Sequence, residues 1–354
     1  MQLVFGSDIA ENVGNFHDQP SLQAGGTWRG DQGCDEHEEA KILTDKVPEA
    51  VLIAGPTASG KSRLALDLAQ RLDGWIVNAD SLQVYRDLPI LTARPTEQDE
   101  EAVPHALYGH LAADEPMSAG RYVREAATVL DACRAKSRMP IFCGGTGLYF
   151  KALLGLLDSM PQVPAAIRDK WRARLVEDGP EMLHQKLSSI DPATAERVKP
   201  KDGQRIVRAL EIYEATGKPL SELQAGRGEG ILEGDNTLKI VLTPDRAVLR
   251  DRIAKRFDQM LEAGAMDEVR DYLARRPEEG RFVEKAIGFT ELSGVLAGEA
   301  MIDAARERAI TRTRQYAKRQ ETWFRHQFDD SWLRCPDVAE ALSRTKPMLE
   351  AVKT

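Results

Sequence analysis

From residue 50 onward the chain alternates short apolar runs with longer stretches in which apolar positions recur every three or four residues. Ala-Val-Leu-Ile-Ala at 50–54 is wholly apolar and too short for a helix, the pattern of a strand buried on both faces of a parallel sheet. Similar runs lie at 75–79, 139–143 and 238–242. Leu64, Leu68 and Leu72 form one stripe of a helix that follows the first run. Strands alternating with amphipathic helices predict an α/β fold: a mostly parallel, P-loop NTPase-like sheet flanked by helices. Ligands of such sheets bind beyond the carboxyl ends of the strands.

The strand signal stops between about 151 and 225. There 165–177, 181–189, 192–199 and 203–216 read as helices, broken at Asp191-Pro192 and Gly217-Lys218-Pro219. This predicts an all-helical insertion over 151–225 within a core made of 49–150 and 226–335. After the last apolar run the pattern is helical again to about Gln327, and the chain beyond Trp332, with 336–354 as its tail, is expected to be peripheral. Residues 1–48 are rich in Gly, Asp, Glu and Gln without periodicity and read as a disordered extension.

The first strand runs into Gly55-Pro56-Thr57-Ala58-Ser59-Gly60-Lys61-Ser62, a match to GxxxxGK(S/T) in the strand–loop–helix setting that the motif needs. Backbone N–H groups of such a loop face an anion, and the following helix adds its positive end. Lys61 brings a mobile charge to a terminal phosphate, and Ser62 offers a hydroxyl to Mg²⁺. The loop alone fits nucleotide-binding kinases, ATPases, GTPases and diphosphate-using transferases equally.

Charge narrows the choice less than its sum suggests. The net charge is −8, but residues 1–48 supply −6 of it. From Arg306 to Arg325 seven basic residues stand against Glu307 and Glu321, with Tyr316, Trp323 and Phe324 between them. Such a stretch reads either as a phosphate-binding face with stacking aromatics or as an ordinary solvated helix with a packed side. Four scattered cysteines, none in a CxxC pair, predict neither a zinc knuckle nor a disulfide framework. No apolar run reaches membrane-spanning length and no secretory leader is visible, so cytoplasmic residence without membrane contact is expected; a monomer is expected beside it.

Beyond the loop, an ordered series of blocks resembles the tRNA dimethylallyltransferases, also called tRNA isopentenyltransferases. It comprises Asn78-Ala79-Asp80-Ser81-Leu82-Gln83-Val84-Tyr85, Thr92-Ala93-Arg94-Pro95, Pro104-His105 and Gly144-Gly145-Thr146-Gly147-Leu148-Tyr149. Further on come Gln204-Arg205-Ile206-Val207-Arg208-Ala209-Leu210-Glu211, the stretch from Arg252 to Phe257, and Thr313-Arg314-Gln315-Tyr316-Ala317-Lys318-Arg319-Gln320. The resemblance covers about 50–328. It implies transfer of a dimethylallyl group from dimethylallyl diphosphate to N6 of the adenosine 3′-adjacent to the anticodon, with release of diphosphate.

By resemblance Asp80 is the general base; its place before a helical stretch also allows the N-cap of a helix, but it faces the ligand side of the sheet, which favours the base. Lys61, Ser62 with Mg²⁺, and Arg252 or Arg256 would balance charge on the departing diphosphate; the resemblance leaves both arginines open. It also implies contacts with the tRNA anticodon stem-loop from Asp80, Ser81, Leu82 and Gln83, from Gln204, Arg205, Ile206, Val207 and Arg208, and from Thr146 and Arg168. The same is implied for Lys285, Ala286, Ile287, Gly288, Phe289 and Thr290, and for Thr313, Arg314, Gln315, Tyr316, Ala317, Lys318, Arg319 and Gln320. Phe289 and Thr290 depart from the tyrosine and basic residue common there. Three rivals stand beside this reading: a small-molecule P-loop kinase, prenyl transfer to free AMP, and an RNA-binding protein without activity. The helical insertion and basic helix favour tRNA over AMP, and intact Lys61, Ser62 and Asp80 speak against a dead site.

Overall fold

The computed structural model describes residues 47–158, 160–223, 228–278 and 281–351. The extension expected over 1–48 lies, up to residue 46, outside the described residues.

The described chain divides into two units. The larger starts with strand β1 (Ala50–Ala54), helix α1 (Lys61–Leu72), strand β2 (Gly74–Asn78), short helices α2 (Pro89–Thr92) and α3 (Glu97–Ala102), and the two-residue strand β3 (His105–Ala106). Helix α4 (Ala119–Ala135), strand β4 (Met139–Gly144) and helix α5 (Gly147–Leu153) follow. The other unit, Leu154–Gly230, is helical: α6 (Ala165–Asp178), α7 (Pro180–Ile190), α8 (Pro192–Arg197), α9 (Gly203–Thr216) and α10 (Leu220–Leu223). The chain then returns to the larger unit through strand β5 (Thr237–Leu242), helices α11 (Arg246–Glu262), α12 (Ala265–Arg275), α13 (Phe289–Leu296) and α14 (Ile302–Gln327), strand β6 (Leu333–Cys335) and helix α15 (Val338–Ala351).

Six strands form one parallel sheet in the order β3-β2-β4-β1-β5-β6. Every residue of β1 and β4 is buried, as the uninterrupted apolar runs predict for inner strands covered on both faces. Their register decides where the site lies. Ala54 pairs with Gly144, and Asn78 pairs with Cys143, so the segments leaving β1, β2 and β4 emerge at one level. The four predicted runs coincide with β1, β2, β4 and β5; β3 and β6 are too short to show a period.

The tail departs from expectation. Instead of lying on the periphery, Leu333–Cys335 extends the sheet beside β5, and Cys335 and Ala341 are fully buried in the cluster that holds Leu64, Leu68 and Ile240. Three residues of strand followed by a helix of mixed apolar and polar residues carry too little pattern to announce this. Trp323 and Phe324 resolve toward packing: both are buried, Trp323 lies edge-on to Phe328, and Phe328 stacks on Trp332 at 3.7 Å. No described helix is long and apolar enough to cross a membrane.

The helical unit has its own core of Trp171, Leu183, Leu187, Ile206, Val207 and Leu210. Asp191 caps α8 by accepting from the Thr194 amide at 3.0 Å, which accounts for the break read at Asp191-Pro192.

Candidate active site

The phosphate loop joins β1 to α1. Ala58 (φ 62°) and Gly60 (φ 98°) both take left-handed backbone, curling the loop so that it feeds directly into the helix. The first-turn amides of α1 have no intrahelical acceptor and remain for an anion. Lys61 folds back over the loop and donates to the Pro56 carbonyl at 3.4 Å. Burial lowers its ammonium pKa from the ordinary lysine range, and nearby Arg256 adds to that; Cys143 and Asp80 act the other way. The Ser62 side chain is exposed and makes no hydrogen bond among the described residues.

The two candidate arginines occupy different positions. Arg252 is exposed and donates through Nη1 to the Ser59 carbonyl at 3.2 Å, bracing the loop. Arg256 is half-buried; burial lowers its pKa against the pull of Asp80, and it lines a cavity together with Ser62. That cavity, of about 200 Å³, is also walled by Gln83, Arg94, His105, Tyr108 and Cys143. Burial raises the Cys143 thiol to about 12 and the Tyr108 phenol well above its usual range, so both stay neutral.

Asp80 follows β2, but no helix begins there: residues 81–84 are turns. The N-cap alternative therefore fails, and what holds Asp80 is a set of local bonds. Asn78, fully buried, accepts from the Asp80 amide at 2.8 Å and donates to the carbonyls of Asp80 and Leu107, each at 3.0 Å. Asp80 Oδ1 accepts from the Leu82 amide at 3.0 Å. Nothing among the described residues donates to Oδ2. The loop after β4 completes the floor: Thr146 Oγ1 accepts from the Ser81 amide at 2.9 Å, and the Thr146 amide donates to Ala79 O at 3.1 Å. Gln83 donates to the carbonyls of Thr92 and Ala93, at 2.9 and 2.7 Å.

The segments expected to face RNA divide sharply by burial. Ile206 and Val207 are core residues of the helical unit, and Ala286, Phe289, Ala317 and Gln320 are buried in the larger one, so these six side chains are packing or bonding elements. Leu82, Ile287 and Arg168 are half-buried, Leu82 and Ile287 packing against the apolar cluster. Gln204, Lys285, Thr290, Arg314, Gln315 and Lys318 are exposed. Gly288 opens α13 and is buried; Arg205 and Arg208 are partly exposed, Arg208 paired with Glu211. Tyr316 is half-buried, its phenol pKa raised by burial and by Asp80, with the Arg319 guanidinium 5.8 Å from its ring centre. Thr313 returns its hydroxyl to the Ala309 carbonyl.

The sequence assigns no individual role to several residues at the site. Asn78, Arg94, His105, Tyr108 and Cys143 have no spacing signature of their own; only the motif blocks around Asn78, Arg94 and His105 hinted at them. No group of three or more Asp, Glu, His or Cys among the described residues could hold a metal ion.

Two family models match the chain: "IPP transferase" over residues 83–327 and "Isopentenyl transferase" over 48–108. A protein of Rhizobium etli named tRNA dimethylallyltransferase is 51% identical over 81% of this chain and 97% of its own length. One of the same name from Sinorhizobium medicae is 52% identical over 83% of this chain and 96% of its own. Among solved structures, the full-length tRNA isopentenylpyrophosphate transferase of Bacillus halodurans superposes with a TM-score of 0.60, at 32% identity, covering 87% of this chain and 98% of that one. A eukaryotic dimethylallyltransferase captured acting on tRNA gives a TM-score of 0.69 at 29% identity, over 84% of this chain and 76% of that one.

Proposed function

The chain belongs to the IPP transferase family, that of the tRNA dimethylallyltransferases, and we propose that it moves a dimethylallyl group from dimethylallyl diphosphate to N6 of the adenosine just 3′ of the anticodon. It is a prenyltransferase acting on tRNA. Cytoplasmic work as a monomer belongs to the same proposal.

The chemistry follows from the arrangement of three loops beyond the carboxyl ends of β1, β2 and β4. The phosphate loop with Lys61 holds the diphosphate. Arg256, which lines the cavity beside Ser62, balances charge on the bridging oxygen as the carbon–oxygen bond breaks. Arg252 keeps the loop in shape. The exocyclic amine of adenosine is a weak nucleophile because its lone pair is delocalised into the ring. Asp80 Oδ2, the oxygen without an internal donor, accepts the N6 proton as nitrogen bonds to the allylic carbon. The atoms balance: one N–H and one C–O bond break, one C–N bond forms, the proton passes to Asp80, and diphosphate leaves.

Mg²⁺ fits this site in one manner. An exposed, unbonded Ser62 hydroxyl with no carboxylate cluster suits an ion held mainly by substrate phosphates and water. When bound, it neutralises phosphate charge. An anticodon loop is already single-stranded, so presenting the base costs little unstacking.

The single observation that carries this reading is a loop-held Lys61 near enough to Asp80 to feel its charge, Asp80 being an acid whose outer oxygen has no donor among the described residues. The test incubates the protein with an anticodon stem-loop, dimethylallyl diphosphate and Mg²⁺ and weighs the RNA. A gain of one five-carbon prenyl unit is expected, with no ATP hydrolysis in a parallel tube. Unmodified RNA together with ATP turnover would replace this reading with the kinase.

A further inference from the structure

Gln320 lies among residues whose family resemblance points to RNA, yet its side chain is only 7% exposed and both ends of its amide are engaged inside the protein. Its Oε1 accepts from the Thr57 amide of the phosphate loop at 2.9 Å, and its Nε2 donates to the Gly145 carbonyl of the loop after β4, also at 2.9 Å. One amide therefore bolts two catalytic loops together from helix α14. The fit leaves no slack. A Cβ built on Gly145 would fall 2.4 Å from Gln320 Nε2 and 3.2 Å from Asp80 Oδ2, so the bolt and the acid meet over the same glycine. One turn further along α14, Trp323 covers Gly147, where a Cβ would come within 1.9 Å of the indole.

We infer that Gln320 is a positioning residue, setting the phosphate loop against the Asp80 loop, and not a reader of the tRNA. The physical reason is the use of the Thr57 amide. The Ser59 amide of this loop already turns inward to the Pro56 carbonyl at 3.2 Å, and the Thr57 amide is committed across the fold to a buried side chain. It fixes the loop's entry before any ligand arrives and removes the ordering that diphosphate would otherwise have to impose. Without the bolt, the buried Gly145 carbonyl and the half-buried Thr57 amide lose their partners, and the loop is free to turn the Thr57 amide elsewhere. The apolar floor beneath, with Ala317 and Trp323 buried on the same face of α14, keeps the helix in place when the amide is removed.

This inference rests on the diphosphate reading above, and the experiment separates the two. Gln320→Met keeps the side-chain length and removes both hydrogen bonds. Gln320→Glu keeps the acceptor for Thr57 but loses the donor to Gly145 and adds a charge beside an anion site. Calorimetry with Mg²⁺ and inorganic diphosphate, and steady-state kinetics with each substrate varied, are run on the full chain. For both variants the diphosphate Kd and the KM for dimethylallyl diphosphate should rise about tenfold. Anticodon stem-loop affinity should stay within about twofold, since no surface contact changes. A merely structural role would lower the active fraction, and so the apparent kcat, with the donor KM unmoved. Diphosphate binding as in the wild type would overturn the assignment. Weaker RNA binding with an unchanged donor KM would return Gln320 to the RNA surface. If the wild-type chain itself binds no diphosphate, the reading of the phosphate loop falls first.

Discussion

The loops beyond the sheet and the helical unit Leu154–Gly230 are held together by different physics. Around Asp80 the chain is placed by directed bonds from buried or half-buried polar groups: Asn78, Thr146, Gln83 and Gln320 each fasten one backbone segment to another. The helical unit is placed by apolar packing of Trp171, Leu183, Leu187 and Leu210, while its charges pair on the surface, as Arg174 does with Asp178. Hydrogen bonds are sharply directional and packing is tolerant. A site that must hold a base and an anion cradle in register is built from the first, and a scaffold that presents a surface is built from the second. Substitutions in the loops should therefore appear in kinetics, and substitutions in the helical unit should appear in stability.

The largest effect should come from Asp80. Replacing it with alanine removes the proposed proton acceptor and one local bond, so kcat should fall about 10³-fold with RNA binding kept. Single-turnover prenylation with saturating RNA measures this, and turnover near the wild-type rate would show that the acid is only structural. Lys61→Ala follows, with kcat/KM for the donor lowered about 10²-fold. The lysine also sets a pH limb. Burial lowers its pKa, and the charged form is the useful one, so donor kcat/KM should fall as pH rises through a value below the ordinary lysine range. Lys61→Arg keeps its charge through that window and should lack the limb. A limb that persists in the arginine variant assigns the titration to another group.

The comparison also explains what the chain disclosed in advance. Packing writes periodicity into sequence, so β1, β2, β4 and β5 and the helices of the insertion were legible, as was the phosphate loop, whose glycines answer to local backbone geometry. Directed bonds write almost nothing. Gln320 meets Thr57 across 263 residues of chain, and Thr146 meets Ser81 across 65; no spacing rule connects them. The difference between Arg252 and Arg256, one turn apart on the same face of α11, was equally hidden, because it depends on which turn of that face lies level with the cavity. Helix α15 was missed for another reason: its inward face, Val338, Ala341, Leu342 and Thr345, is a short stripe of mostly small side chains broken by a hydroxyl.

In the helical unit, Leu210 is fully buried, and Leu210→Ala should cost about 3 kcal/mol of that unit's stability through lost burial and a residual cavity. Thermal unfolding reads the loss, and diphosphate binding by the larger unit should survive it. If diphosphate affinity fell in parallel, the separation between bonded loops and packed scaffold would not hold.

The smallest effect belongs to the surface. Of the basic residues on α14, Arg306 is tied to Asp258 and Glu307, and Arg312 is tied to Glu291. Arg314, Lys318 and Arg325, four and seven residues apart and so on one stripe, are exposed and make no ion pair among the described residues. Unpaired cations on an exposed stripe suit phosphates, which they bind without reading sequence. Lys318→Ala should weaken anticodon stem-loop binding a few-fold at most and reduce the slope of log affinity against log salt by about 0.7, one phosphate's share for single-stranded RNA. Arg306→Ala, whose charge is already spent on two carboxylates, should leave that slope unchanged. Equal slopes for the two variants would mean that ion pairing on this helix does not decide which cations meet RNA.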